Sequence, residues 1–387
     1  MRIPEFSPLF GKDEVIGVLQ TLEDNWLTEG KKTKQLEAAL AEYFGCKHVV
    51  MVPNGTLAIF AALKVLGIGP GDEVIVPDLT FFGSASAIVL TGAKPVFADI
   101  GLHDFNIDPS AVEACLSERT KAILPVHLYG QSCDLPAVIA LAKRHNLFVV
   151  EDAAQAMGAT FGDRHVGTFG DIGCMSFFAD KTMTTGEGGA LLIDDDDLAD
   201  RCMYFKNQGR LKRGSFLHEH MGYNFRITDM QAAIGLAQFS RLDEIIEKKR
   251  RLRMTYRDRL ADCSGLRLPI DTGVGEVVPF RVNILVSDPE GLSSFLAASD
   301  IATRRFFYPL HRQPSFDEQN SVVPCAPVNS VRAFETGLML PSGLDLTETQ
   351  IDRVCACIHN YQLSIANGAD SSSLSVATSD TSAVLAR

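Results

Sequence analysis

"HVVMVPNGTLAIFAALKVLG" (48–67) sets a short, wholly apolar run against a helical pattern, with Pro-Asn-Gly-Thr between them. A run of four apolar residues, three of them valine, behind His48 reads as a strand buried on both faces. The stretch after Asn54 repeats apolar residues at helical spacing, and Asn54 or Thr56 can cap its start. The same strand-then-helix unit recurs. "GPGDEVIVP" (69–77), "KPVFADI" (94–100), "KAILPVHL" (121–128) and "NLFVVEDA" (146–153) read as buried strands, separated by helical segments such as "LPAVIALAKRHN" (135–146). "DIGCMSFF" (171–178) and "GGALLIDD" (188–195) add two more. Alternating strands and helices predict an α/β domain with a mixed, mostly parallel sheet covered by helices.

From Asp229 the pattern changes to one long amphipathic helix, with Ala232, Leu236, Phe239, Leu242 and Ile246 on one face and the strongly charged "EKKRRLRMTYRDRL" (247–260) behind it. After it, "VVPFRVNILV" (277–286) predicts a strand, "PEGLSSFLAAS" (289–299) a helix, "ATRRFFYP" (302–309) an extended run and "TETQIDRVCACIHNYQL" (347–363) a last helix. The expected organisation is an N-terminal segment (1–30), a large domain (31–245), a smaller C-terminal α+β domain (246–365) and a Ser/Thr-rich disordered tail (366–387).

The 387 residues are 46% hydrophobic, enough for more than one core, and carry a formal charge of −12. That charge argues against broad nucleic-acid or membrane binding. No apolar run is long enough to span a bilayer and no secretion signal precedes the first helix, so the expected location is the cytoplasm. Nine cysteines without a CxxC pair fit reduced, mostly buried thiols and no zinc site. The Asp194–Asp197 run reads as a helix start, His218-Glu219-His220 lacks a third metal ligand at a known spacing, and His127 reads as a hydrogen-bonded core residue.

Four stretches hold the parts needed for a phosphorylated aromatic aldehyde. Gly55 and Thr56 open a helix, where backbone N–H groups attract an anion, although an ordinary capped helix has the same look. Asp152 ends a buried strand, at the rim where open α/β sheets bind ligands, and can pair with a protonated ring nitrogen or cap the next turn. Phe81 or Phe82 can lie against a flat ring or pack in the core. In "SFFADKTMTTGEGGALL" (176–192), Lys181 follows an apolar run and precedes small residues. A partly desolvated lysine loses basicity and becomes an amine nucleophile able to form a Schiff base. Ser176 offers a further phosphate donor. Together these meet the requirements of pyridoxal 5′-phosphate.

At these residues the sequence resembles the DegT/DnrJ/EryC1/StrS family of sugar aminotransferases. Ten ordered blocks carry the likeness: "WLTEGKKTKQLE", "NGTLAIFAAL", "VIVPDLTFFGSASAI", "GAKPVFADI", "PVHLYGQSCDL", "EDAAQAMGA", "SFFADKTMTTGEGG", "GYNFRITDMQAAIGLAQ", "YPLHRQPSF" and "GLMLPSGLDLTETQID". The resemblance implies the fold-type I aminotransferase architecture, with Lys181 bonded covalently to the cofactor aldehyde and Asp152 at its ring nitrogen. It implies Gln155 near the phenolic oxygen, Phe81 over the ring, and Gly55, Thr56 and Ser176 at the phosphate. Asn224 is expected to reach the cofactor of a second subunit, so that a homodimer shares its active sites. Tyr308 and His311 are expected at the sugar pocket. The implied reaction moves an amino group from L-glutamate to a keto sugar, read as a nucleotide-linked 4-keto-deoxysugar. Lys31, Lys32, Lys34, Arg210, Lys212, Arg213, Arg304 and Arg305 are candidates for the diphosphate, each also an ordinary surface charge. The alternatives are action at another sugar carbon, dehydration, or a non-catalytic regulator. One departure is visible. Residues 179–180 are Ala-Asp, where relatives acting on 4-ketosugars often read Gly-Asn, while dehydratases of the family carry histidine in place of the lysine.

Overall fold

The structure is a computed structural model and describes residues 2–210, 216–271 and 273–366. Its central sheet has seven strands in the order β1-β9-β8-β5-β4-β2-β3. They are β1 (His48–Val52), β2 (Glu73–Pro77), β3 (Lys94–Ala98), β4 (Thr120–Ile123), β5 (Phe148–Asp152), β8 (Ile172–Ser176) and β9 (Gly189–Ile193), with the hairpin β6 (Thr160–Phe161) and β7 (Arg164–His165) outside the sheet. β3, β2, β4, β5 and β8 run parallel, and β9 is antiparallel to both β8 and β1. The sheet is mixed and mostly parallel, as the alternation predicts.

The continuous apolar strands follow from burial on both faces. Along β1, Val50 and Val52 join one core cluster while Val49 and Met51 join the other. β2 divides the same way, with Val74 and Val76 on one side and Ile75 on the other. Side chains alternate across a strand, so a sheet covered by helices on both faces needs apolar residues at every position. Helix starts carry the short polar caps that leave backbone N–H groups satisfied: Asn54, Asp134, Asp195 and Thr228 each accept a hydrogen bond from the turn they open.

A second, four-stranded antiparallel sheet runs β10-β11-β13-β12, from β10 (Leu266–Arg267), β11 (Val282–Val286), β12 (Arg304–Arg305) and β13 (Gly337–Leu340). Its core joins Leu252, Tyr256 and Leu260 to Ile351, Val354, Ile358 and Tyr361, together with Ile3. Ile3 pairs with Ile301 in a parallel bridge.

The structure departs from the sequence reading at several points. The long helix from Asp229 is two helices, Asp229–Phe239 and Leu242–Leu260. Ser240 turns its hydroxyl onto the Ala237 carbonyl, and Arg241 is drawn out of helical geometry to Glu14, 2.6 Å away. The second helix runs unbroken through residue 246, where the sequence placed a domain boundary. Strand β11 begins only at Val282, because Val278 and Phe280 bond instead to the carbonyls of Gly130 and Tyr129, both at 3.1 Å. The last helix reaches Ala366, and the stretch 367–387 read as a tail lies outside the described residues.

Candidate active site

The parallel strands end on one rim of the sheet, and there lies a cavity of about 540 Å³. β1 leads into Gly55 and Thr56, β5 into Asp152 and Gln155, and β8 into Ser176 and Lys181. Phe81 and Ser84 come from the loop after β2 and the helix Phe82–Thr91. All of these line the cavity, so seven of the sequence-predicted site residues converge from segments more than a hundred residues apart.

Each is held by a traceable contact. The helix after β1, Gly55–Val65, is capped by Asn54, whose Oδ1 accepts from Leu57 N at 2.9 Å. That leaves the Gly55 and Thr56 N–H groups at the open end of the helix beside Ser176. A Cβ at position 55 would stand 2.9 Å from Ser176 Cβ, so only glycine permits this approach. Asp152 accepts from the Ser84 hydroxyl at 2.7 Å and from Ala154 N at 3.1 Å, which orient its carboxylate. Gln155 Oε1 accepts from Tyr129 N at 3.0 Å. Tyr129 adopts left-handed φ of 58°, an unusual conformation for a side chain of this size, and so turns that N–H toward Gln155.

Lys181 is half-buried in the cavity wall, with Nζ 4.6 Å from the centre of the Phe280 ring. Burial depresses its pKa below the ordinary lysine value, against the pull of Asp180 and Asp152. It is the only lysine or arginine among the described residues that line the cavity. The site therefore offers a desolvated amine, a carboxylate, and a helix start with a serine hydroxyl, and these fit the aldehyde, ring nitrogen and phosphate of pyridoxal phosphate.

Other expected residues lie elsewhere. Phe82 packs on Phe316, with ring centres 5.3 Å apart, leaving Phe81 to face the cavity. Tyr308 packs edge-on against Phe334, and His311 is turned onto Asp78 at 2.8 Å, so neither lines the cavity. Asn224 is exposed and also lies outside this wall. Lys31, Lys32 and Lys34 line a separate cavity beside Trp26. Arg304 pairs with Glu5, Arg305 with Glu290, and Arg210 with Gln208. Lys212 and Arg213 lie outside the described residues. His127 is fully buried and bonded to Glu151 at 2.9 Å. His218 bonds the Gln208 carbonyl and His220 stacks on Tyr204; among the described residues no group of His, Cys, Asp or Glu could hold a metal ion. Nor does any described helix have the length and apolarity to cross a membrane.

Sequence reasoning missed Ser84, Tyr129, Phe280 and Phe307. Ser84 sits three residues after Phe81 in a stretch already singled out, but its bond to Asp152 spans 68 positions. Phe280 and Phe307 come from beyond β9, and no local pattern marks them as cavity residues.

Residues 9–359 match the DegT/DnrJ/EryC1/StrS aminotransferase family. The chain belongs to that family. It is a pyridoxal-phosphate-dependent sugar aminotransferase. It is 36% identical over 369 residues to GDP-perosamine synthase of Vibrio cholerae, covering 93% of this chain and 99% of that protein. It is 38% identical over 357 residues to the UDP-N-acetyl-3-dehydro-alpha-D-glucosamine 3-aminotransferase of Acidithiobacillus ferrooxidans, covering 91% of this chain and 94% of the other. Among solved structures it is similar to S. venezuelae DesV in complex with a ketimine intermediate, with a TM-score of 0.88 and 32% identity over 93% of this chain and 98% of the other.

Proposed function

We propose that this enzyme takes an amino group from L-glutamate and delivers it to C4 of a nucleotide-linked keto-deoxysugar, acting as a homodimer in the cytoplasm. The reading rests above all on the meeting of Lys181 and Asp152 across one cavity whose floor is an anion-attracting helix start. When bound, pyridoxal phosphate supplies the electron sink that lets an amino acid release its α-hydrogen as a proton.

The chain's own residues do the rest. Gly55 N–H, Thr56 and Ser176 would hold the phosphate. Asp152, fixed by Ser84 and Ala154, would keep a proton on the ring nitrogen. Gln155 spends its carbonyl on Tyr129, so its amide nitrogen is the end available to the phenolic oxygen. Phe81 is the aromatic surface available to a ring face. Lys181 would hold the group through its amine and be freed again when a donor's amine takes its place. The freed Lys181 amine would be the base that moves the donor's α-proton to C4′, and the acid and base for the same proton movement in reverse with the keto sugar.

Nucleotide linkage is supported by the names of the two relatives, one a GDP-sugar and the other a UDP-sugar enzyme. The second of these acts at position 3 of its sugar, which makes a 3-amino product the competing reading. The dimer is supported by Asn224, exposed and outside its own cavity, and by the exposed Ile16, Leu19, Leu22 and Trp26 on and beside the helix Lys12–Glu23. The test loads the enzyme with pyridoxamine phosphate and offers a panel of nucleotide-linked 3-keto and 4-keto sugars. A 4-amino product identified by NMR supports the proposal. A 3-amino product, or no transfer to any sugar, overturns it.

A further inference from the structure

Lys181 shares its surroundings with several charged groups on other elements. Asp180 precedes it and lines the same cavity. Arg281, at the entry to β11, places Nη2 2.7 Å from Asp180 Oδ2 and Nε 3.8 Å from Glu5 Oε1. Its side chain is only 1% exposed. Glu5 also pairs with Arg304 at 2.9 Å. Lys249 is buried on the helix Leu242–Leu260 and donates to the carbonyls of Pro279 and Phe280 at 3.4 Å. One ring, Phe280, gathers three of the cations: Lys181 Nζ at 4.6 Å, Arg281 Cζ at 4.5 Å and Lys249 Nζ at 6.0 Å.

A carboxylate beside a desolvated lysine is a hazard for nucleophilic chemistry. Left alone, it takes the ammonium as its counter-ion and holds the amine protonated. Here a planar, always-charged guanidinium reaches the carboxylate first and adds its own positive field across the shared ring. We propose that Arg281 is a positioning residue that claims Asp180, so that the Lys181 amine stays uncharged and free to react; this rests on the reading of Lys181 as the nucleophile. The directions of the electrostatic influences on Lys181 agree, since Asp180 pushes its pKa up and Arg281 pushes it down. Asp152 adds a second upward push that Arg281 does not reach by hydrogen bond, and its carboxylate is held instead by Ser84.

The test uses the full chain stripped of cofactor. Acetic anhydride labels unprotonated amines, and mass spectrometry reads the extent at Lys181 across a pH series, with exposed Lys31 in the same sample as reference. Arg281→Met should raise the labelling midpoint of Lys181 by about one pH unit or more, which is approximately a tenfold loss of reactivity at pH values below both midpoints. Asp180→Asn should lower the midpoint. The double variant, with both charges gone and the packing hardly changed from Arg281→Met, should return it to the wild-type value or below. An unmoved midpoint in Arg281→Met, or a double variant as unreactive as the single one, overturns the proposal. Where Arg281→Met does not fold, Asp180→Asn decides alone, because a midpoint that fails to fall is equally fatal. Labelling reads the amine without the cofactor. A failure here leaves the catalytic assignment of Lys181 standing, whereas a cofactor that never bonds to Lys181 removes that assignment whatever the midpoint.

Discussion

Replacing Gly55 with alanine adds one methyl group where the phosphate cradle has no room. The new Cβ would lie 2.9 Å from Ser176 Cβ and 3.4 Å from Ser176 Oγ. Carbon atoms rest at about 3.5–4.0 Å, so the contact is short by roughly 0.6–1.1 Å. Neither side yields easily. Gly55 opens a helix fastened by Asn54, and Ser176 ends β8, which pairs with Gly189 at that point. Relief must come from parting the helix start and the strand end, the two elements proposed to share the phosphate. Overpacking of this kind costs about 1–3 kcal/mol. Cofactor binding needs both elements in register, so most of that cost should appear in affinity. At 1.4 kcal/mol per decade the expected weakening is about 5- to 100-fold. Absorbance titrations with pyridoxal phosphate and with pyridoxal, which lacks the phosphate, separate the cradle from the ring contacts. The phosphorylated form should lose that affinity while pyridoxal changes little. Equal losses for both, or none, would refute the assignment of the cradle.

Lys181→Ala should bind the cofactor without a covalent link, so that borohydride traps nothing, and should lose amino transfer both from L-glutamate and to the keto sugar. Glu151→Gln should destabilise the fold by about 3–5 kcal/mol in urea unfolding, because a buried carboxylate bonded to His127 and to the N–H groups of Gly167, Phe169 and Gly170 cannot be matched by an amide. Burial pushes the Glu151 carboxyl up, but the His127 bond and those backbone donors hold it below the usual glutamate value. The wild-type advantage is therefore full above about pH 4.3, the unfolded value, and should fade as pH falls through the lower folded value. Lys249→Met should stabilise the protein by about 1–3 kcal/mol at pH 7, since burial depresses the Lys249 pKa to about 7 and charging it in the fold is unfavourable. Between pH 7 and about 10.4 the unfolded chain binds the extra proton, so wild-type stability should rise with pH across that window and the gain from Met should shrink.

Strand and helix positions were legible because burial on two faces writes apolar runs such as those of β1, β2 and β9, and several helix starts write a short polar cap, as at Asn54, Asp134, Asp195 and Thr228. Lys181, Asp152 and Gly55 were legible for a related reason: they sit at strand ends, where the chain must turn and where chemistry-bearing residues stand out against apolar neighbours. The break at Ser240 was not, since the apolar spacing continues through Phe239 and Leu242, and the residue that draws Arg241 aside is Glu14, 227 positions earlier. Lys249 was likewise hidden in a charged run, although its spacing to Leu252, Tyr256 and Leu260 marks the buried face once that face is known. Tyr308 and His311 lie in a recognisable block, but their side chains are claimed by Phe334 and Asp78 through contacts no local pattern encodes.

The pairing of Ile3 with Ile301, in a core that also holds Ile358 and Tyr361, has a consequence for how the molecule comes into being. A growing polypeptide emerges from the ribosome in order, so Ile3 must wait until Ile301 and the last helix have been made before its partners exist. The seven-stranded sheet is complete by Ile193 and can begin to consolidate in the meantime. An appendage fused just ahead of Ile3 would then slow the closing step far more than one fused after the last helix.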